Sequence, residues 1–274
     1  MKIIIPMAGS GNRFIEKGYK EPKPLIKVGG KLIIEHILSM FSDEDDIIFI
    51  CNDTHIKHTN MKDVLLTLKP NSKIISIPQH KLGPVHTVKY VYDLIDDDDE
   101  VMVCYCDNPY IWDRNDFITY VGKTDLDGCV LTHIGFHPHT LSDTKMAFLK
   151  ISNDGLMEEI KEKECYTDDP MNEHASTGAY YFKKGSYIKH YFDKMVEDGL
   201  SYNGEYYVTL VYNLLVSDGL KVGYYDTKFA TVMGTPEEVV NLEAWKTIIE
   251  HNQVKTEVDL INCYKYWKSY YDIS

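Results

Sequence analysis

Residues 1–38 read MKIIIPMAGSGNRFIEKGYKEPKPLIKVGGKLIIEHIL. An apolar run, Ile3 to Ile5, ends in a small-residue bend, Ala8-Gly9-Ser10-Gly11-Asn12-Arg13. An apolar strand opening into such a bend is how a doubly wound α/β fold begins a phosphate site. Gly9 and Gly11 permit a sharp turn and let main-chain N–H groups come close to phosphate oxygens. Arg13 and Lys23 add positive charge at the same place. Pro22 and Pro24 flank Lys23 and stiffen its segment, so its side chain loses less freedom on binding an anion. The bend is not a P-loop, because no Gly-Lys-Ser/Thr follows it at the required spacing. Nor is it the dinucleotide fingerprint, since Asn12, Arg13 and Phe14 follow Gly11 without a third glycine.

Charge points the same way. The 274-residue chain has a formal net charge of −13, with 42 acidic and 29 basic residues. Its first 31 residues nevertheless carry seven basic side chains against two acidic ones. A nucleic-acid backbone wants a broad basic face; one basic loop on an acidic chain suits a single small polyanion. The chain has no run of about 18 apolar residues and no signal-peptide pattern, so neither a membrane span nor export is expected. Six cysteines without CxxC spacing, several in strand-like runs, read as free buried thiols of a cytoplasmic protein.

Strand-like runs recur at 2–6, 46–51, 73–77, 100–106 and 128–134. Helical patterns separate them at 31–41, 55–68 and 84–94. This alternation predicts βαβ units and a mainly parallel sheet. Thr54 and Asp113 are expected helix N-caps, and the acidic run 96–100 a solvated loop. Asp107 follows a strand whose carboxyl end should face the ligand crevice. There it either holds a divalent cation, such as Mg²⁺ with phosphate oxygens, or forms a turn before Pro109. His137 and His139, in a loop after a strand, are candidates for contact with a polar substrate. Beyond Asp127 the pattern becomes richer in strands, with a turn at Asn153-Asp154-Gly155.

The segment Gly9-Ser10-Gly11-Asn12-Arg13 followed by Pro22-Lys23-Pro24 resembles the signature of nucleotidyltransferases that join a nucleotide to a sugar phosphate or a related phosphate. The resemblance covers nearly the whole chain and is strongest over residues 3 to 38. It implies a doubly wound, mainly parallel mixed sheet, a Rossmann-like nucleotidyltransferase fold, with a smaller β-rich acceptor-binding part. One domain would span 1–252, with a nucleotide-binding half (1–126) and an acceptor-binding half (127–252). The aromatic tail 253–274 would dock on it or on a second subunit, which would make a homo-oligomer.

By the same resemblance, residues 8 to 13 (Ala8, Gly9, Ser10, Gly11, Asn12, Arg13) and Lys23 bind the nucleotide triphosphate. A turn from Gln79 to Gly83 reads the base, unless it is an ordinary helix entry. Asp107 matches the metal aspartate. Glu162 accepts from acceptor hydroxyls, Lys163 holds the acceptor phosphate and Gly178 admits its ring; the alternative for the Glu-Lys pair is a surface ion cluster. Glu205 closes the acceptor pocket. The reaction implied is attack of a sugar 1-phosphate, or a similar phosphomonoester, on an NTP with Mg²⁺, to give an NDP-sugar and pyrophosphate for surface polysaccharide or glycan precursors. Arg13, Lys23 and Asp107 would be catalytic.

Two departures stand out. Glu164 replaces the proline usual after the lysine. Val232 stands in Phe229–Pro236 where the resembled pattern has a second metal aspartate, and valine cannot ligate; Asp226 is a possible substitute. A glycosyltransferase of similar fold is the rival reading, although Asp107-Asn108-Pro109 lacks its Asp-x-Asp motif. A catalytically weak nucleotide-sugar sensor is the other.

Overall fold

A computed structural model describes residues 1–141 and 145–251. Nine strands form one sheet among these residues. They are β1 (Lys2–Met7), β2 (Asp46–Asn52), β3 (Lys73–Ile77), β4 (Val101–Cys104), β5 (Gly128–His133), β6 (Ala147–Ile151), β7 (Met157–Glu162), β8 (His174–Phe182) and β9 (Val222–Asp226). The order along the main path is β7-β6-β8-β4-β1-β2-β3, with β5 pairing β8 and β9 pairing β5. Strands β3, β2, β1 and β4 are mutually parallel. The hand of pairing changes at β4, whose second neighbour, β8, is antiparallel.

Helices lie on both faces. Ile3 and Ile5 of β1 point into one apolar layer and Ile4 into the other, and all three are fully buried. The first layer takes Ile34 and Ile37 of α2 (Ile33–Leu38), Met61 and Leu65 of α4 (Met61–Leu68), and Phe117 and Val121 of α6 (Arg114–Thr124). The second takes Val85 and Val88 of α5 (Pro84–Lys89), Ile188 and Phe192 of α7 (Gly185–Glu197), and Val211 and Leu215 of α8 (Val208–Ser217). A strand buried on both faces needs a continuous apolar run rather than alternation, and Ile3-Ile4-Ile5 supplies one. Each such side chain contributes about 1.5–3 kcal/mol.

Several local expectations change. The pattern over 55–68 is two helices, α3 (Asp53–His58) and α4, because Thr59 is extended. Its hydroxyl donates to His55 O at 2.7 Å and accepts from Met61 N at 3.2 Å, closing one helix and opening the next. The cap of α3 is Asn52, not Thr54; the Asn52 side chain accepts from the Thr54 N–H at 2.9 Å. The pattern over 31–41 contains a two-residue ribbon strand before α2, and 84–94 is α5 followed by a 3₁₀ turn. Asp113 does cap α6, accepting from Asn115 and Asp116 N–H. The acidic loop is not wholly solvated: Asp99 pairs with Lys2 at 2.5 Å across 97 residues. Cys51, Cys104, Cys106 and Cys129 are free and buried. Cys263 and the aromatic segment 253–274 lie outside the described residues.

Candidate active site

The bend after β1, the end of β4 and the entry to α5 border one cleft of about 460 Å³. Residues 8 to 13, Lys23 and Asp107 line it together with His80, Gly83, Thr87, Glu205 and Tyr207. Gly11 opens the short helix α1 (Asn12–Glu16) with φ 68°, and Phe14 anchors that helix in a small apolar cluster.

Lys23 lies in a 3₁₀ turn, Lys23–Leu25, whose Pro24 and Leu25 are buried. The backbone position of the lysine is therefore fixed by its neighbours. The Lys23 ammonium donates to Asp107 Oδ2 at 2.6 Å, and both side chains are about four-fifths buried. Burial works against the lysine charge, but attraction to Asp107, a further pull from Cys106 and the Asp107 hydrogen bond together outweigh it, and the Lys23 pKa is raised. Arg13 is near enough to oppose that rise.

Asp107 is held from the opposite side. Met233 N–H donates to Asp107 O at 2.7 Å, and Thr231 N–H to Pro109 O at 3.0 Å. A Cβ on Gly234 would lie 2.9 Å from Asp107 Oδ2 and 3.3 Å from Glu238 Oε2, so a side chain there would displace one or both carboxylates. Glu238, in the first turn of α9 (Pro236–His251), accepts from Gly234 and Thr235 N–H. The Thr235 hydroxyl accepts from Glu238 N–H, completing a reciprocal cap. Val232 is buried and apolar. Asp226 accepts from Thr132 Oγ1 at 2.8 Å and pairs with His174 at 2.9 Å, and it does not line the cleft.

Gln79 is exposed and does not border the cleft; Asn52 Nδ2 donates to its Oε1 at a long 3.4 Å. Gly83 does border it and is in contact with Tyr206: a Cβ there would meet Tyr206 N and O at 2.7 Å. Glu162, Lys163 and Gly178 stand behind the cleft edge rather than on its lining. Glu162 accepts from Thr209 Oγ1 at 2.6 Å, and burial pushes its carboxyl pKa up. Lys163 donates to Tyr207 OH at 2.8 Å. Gly178 lies in a register shift of β8, where its carbonyl accepts from Tyr105 N–H at 2.9 Å.

His137 and His139 do not meet the cleft. They are buried with His133, whose Nε2 is 3.0 Å from that of His139. Burial drives the pKa of all three down, that of His139 to about 3. Tyr207, Tyr105, His55 and His80 line the cleft without having been singled out from the sequence.

The curated relatives include the bifunctional protein GlmU of Clostridioides difficile, 27% identical over 230 residues, which cover 82% of this chain and 46% of that protein. GlmU of Clostridium tetani is 26% identical, covering 84% and 48%. The chain thus spans about half the length of the curated relatives it matches. Among solved structures, a nucleoside-diphosphate-sugar pyrophosphorylase from Vibrio cholerae superposes with a TM-score of 0.70 at 21% identity, covering 88% of this chain and 99% of that one. A UDP-glucose pyrophosphorylase complexed with UDP-glucose gives 0.66 at 16% identity, covering 90% and 98%. These likenesses establish the nucleotidyltransferase fold. Residues 3–142 match the family model of the MobA-like NTP transferase domain, just over half of the chain, and it is to that family that the protein belongs.

Proposed function

We propose that the protein condenses an NTP with a sugar 1-phosphate or similar phosphomonoester, releasing pyrophosphate and forming an NDP-sugar. The observation that carries this is the convergence of the residue 8–13 bend, Arg13, Lys23 and Asp107 on one cleft that Glu205 and Tyr207 also line. Membership of an NTP transferase family and pyrophosphorylase-like fold neighbours support it. Supply of surface polysaccharide or glycan precursors is the role we assign to the product.

The acceptor phosphate is already anionic, so no protein nucleophile is needed. What the chain must do is hold two anions in line and neutralise charge on the leaving pyrophosphate. Main-chain N–H groups of residues 9–12 receive the triphosphate, and Arg13 steadies the leaving group. Lys23 turns from Asp107 to bridge the phosphates near the α-position, while Lys163, off the lining but bonded to the lining Tyr207, reaches in to the attacking phosphate. Gly83 gives the base a flat backbone to lie on, with Gln79 able to swing in and both donate and accept.

The donor set fits Mg²⁺ that takes most of its ligands from phosphate and water. Asp107 is the carboxylate that would hold it. Val232 cannot contribute, Asp226 is engaged elsewhere, and among the described residues no three His, Cys, Asp or Glu side chains form a cage. When bound, the ion would supply charge neutralisation at the α-phosphate.

No helix among the described residues is long and apolar enough to cross a membrane. We assign NTP and a phosphorylated small molecule as partners, and the cytoplasm as location. A matrix of four NTPs against a panel of phosphate esters, read by pyrophosphate release with Mg²⁺, is the test. The transferase gives pyrophosphate with at least one pair. A glycosyltransferase, or the sensor suggested by Val232, gives none.

A further inference from the structure

The hairpin over residues 202–205 closes through reciprocal main-chain bonds, Tyr202 N–H to Glu205 O at 2.9 Å and Glu205 N–H to Tyr202 O at 3.0 Å. The next residue is fastened to the turn before α5: Tyr206 N–H donates to Leu82 O at 2.9 Å, and Val85 N–H to Tyr206 O at 3.1 Å. Tyr207 therefore leaves a backbone fixed on two sides. Its hydroxyl accepts from Lys163 Nζ at 2.8 Å and donates to Glu205 Oε2 at 2.8 Å. The same ammonium lies 4.5 Å from the centroid of the Tyr207 ring and 5.1 Å from that of Tyr202. Lys163 itself has φ 60°, an uncommon backbone state for a residue with a side chain. Its direction is thus set by tertiary contacts rather than by local preference.

We propose that Tyr207 is a positioning residue for the acceptor. Its hydroxyl aims the Lys163 ammonium and stands between that ammonium and the Glu205 carboxylate. This rests on the transfer reaction proposed above, in which Lys163 meets the phosphate of a phosphomonoester. A lysine stem is flexible and its ammonium is a compact point charge. Without the hydroxyl it regains rotamers, and it can pair directly with Glu205, which neutralises the charge the incoming phosphate needs. Burial, and next the Glu205 carboxylate, raise the hydroxyl pKa, so it remains a donor to Glu205 at working pH.

Tyr207→Phe separates the hydroxyl from the ring, because both faces that lie against Lys163 remain. With the nucleotide and phosphate ester selected by the matrix above, the variant should raise acceptor KM about tenfold. It should leave kcat within threefold and nucleotide KM within twofold. Inorganic phosphate, as a competitive inhibitor against the acceptor, reads the phosphate contact alone, and its Ki should rise in parallel. On a Lys163→Ala background the Phe substitution should add less than twofold, since its effect runs through the lysine. Tyr207→His returns a hydrogen-bonding ring nitrogen and should recover part of the loss; if the Phe variant does not fold, Tyr207→Leu, which also lacks the hydroxyl, takes its place. An acceptor KM within twofold of wild type, or an undiminished effect on the Lys163→Ala background, overturns the inference while leaving the reaction standing. Absence of turnover with every pair overturns the reaction and this inference with it.

Discussion

Gly83→Ala probes the joint between the two sides of the cleft. At this residue φ is 87° and ψ 176°, a region essentially restricted to glycine and costing a residue with a Cβ about 1–3 kcal/mol. The added Cβ would also meet Tyr206 N and O at 2.7 Å, about 0.7 Å inside ordinary contact distance. Neither atom is the tip of a side chain, so the 82–85 turn and the 202–208 segment must part. Parting weakens two main-chain hydrogen bonds, at 2.9 and 3.1 Å, each worth about 1 kcal/mol. The combined cost is about 2–5 kcal/mol, against a domain stability of about 5–15 kcal/mol. The protein should still fold, with Tm lowered on the order of 10 °C. The shift should raise both nucleotide KM, through the base turn, and acceptor KM, through Glu205 and Tyr207. Thermal melting and pyrophosphate-release kinetics check this. A variant with wild-type Tm and both KM values unchanged would refute the reasoning, because the backbone contact would then be loose.

Lys23→Ala should lower kcat by about 10²–10³, the scale for removing one charge-stabilising donor, while nucleotide affinity by calorimetry changes less than tenfold. Nearly normal pyrophosphate release would remove Lys23 from the chemistry. EDTA should stop turnover and added Mg²⁺ restore it, and Asp107→Asn should lose most of that metal response; indifference to chelation would count against a cation at Asp107. Acidification should destabilise the fold through His133 and His139. Their pKa values are depressed by burial, that of His139 to about 3, so the neutral pair stabilises fully above the unfolded value of about 6.5. That contribution is lost as pH falls, at about 1.4 kcal/mol per histidine per pH unit. Melting at pH 7 and pH 5 reads it, and a flat Tm sinks the account. Asn52→Ala should cost about 1 kcal/mol through loss of the α3 cap, whereas Thr54→Ala should cost less; the reverse order in denaturant melts would restore Thr54 as the cap.

What could be read in the chain was what short-range chemistry decides. Ile3-Ile4-Ile5 followed by Gly9 and Gly11 announces a buried strand and a bend whatever lies elsewhere, and Pro22 and Pro24 fix Lys23 locally. Asp113 caps its helix with its own side chain. Thr54 is not the cap because three cap-forming residues, Asn52, Asp53 and Thr54, stand in succession, and the helix begins after the first of them. The break at Thr59 leaves no local mark, because Ile56 and Val64 keep an apolar helical period across it. Tyr207 was invisible for a different reason. Its role comes from Lys163, 44 residues away in the chain, and one tyrosine among 21 carries no mark of that. His133 likewise reads as a strand residue until a 3₁₀ turn at Pro138–Leu141 brings His139 onto it.

Strand β4 has one further consequence. Its backbone is laced to β1 on one edge and to β8 on the other, and the loop it releases carries Asp107. The parallel strands on one side of β4 and the mixed strands on the other are therefore planks of one deck, not two leaves on a hinge. Any tightening around a bound ligand must come from side chains and short loops above the deck rather than from the swing of a lobe.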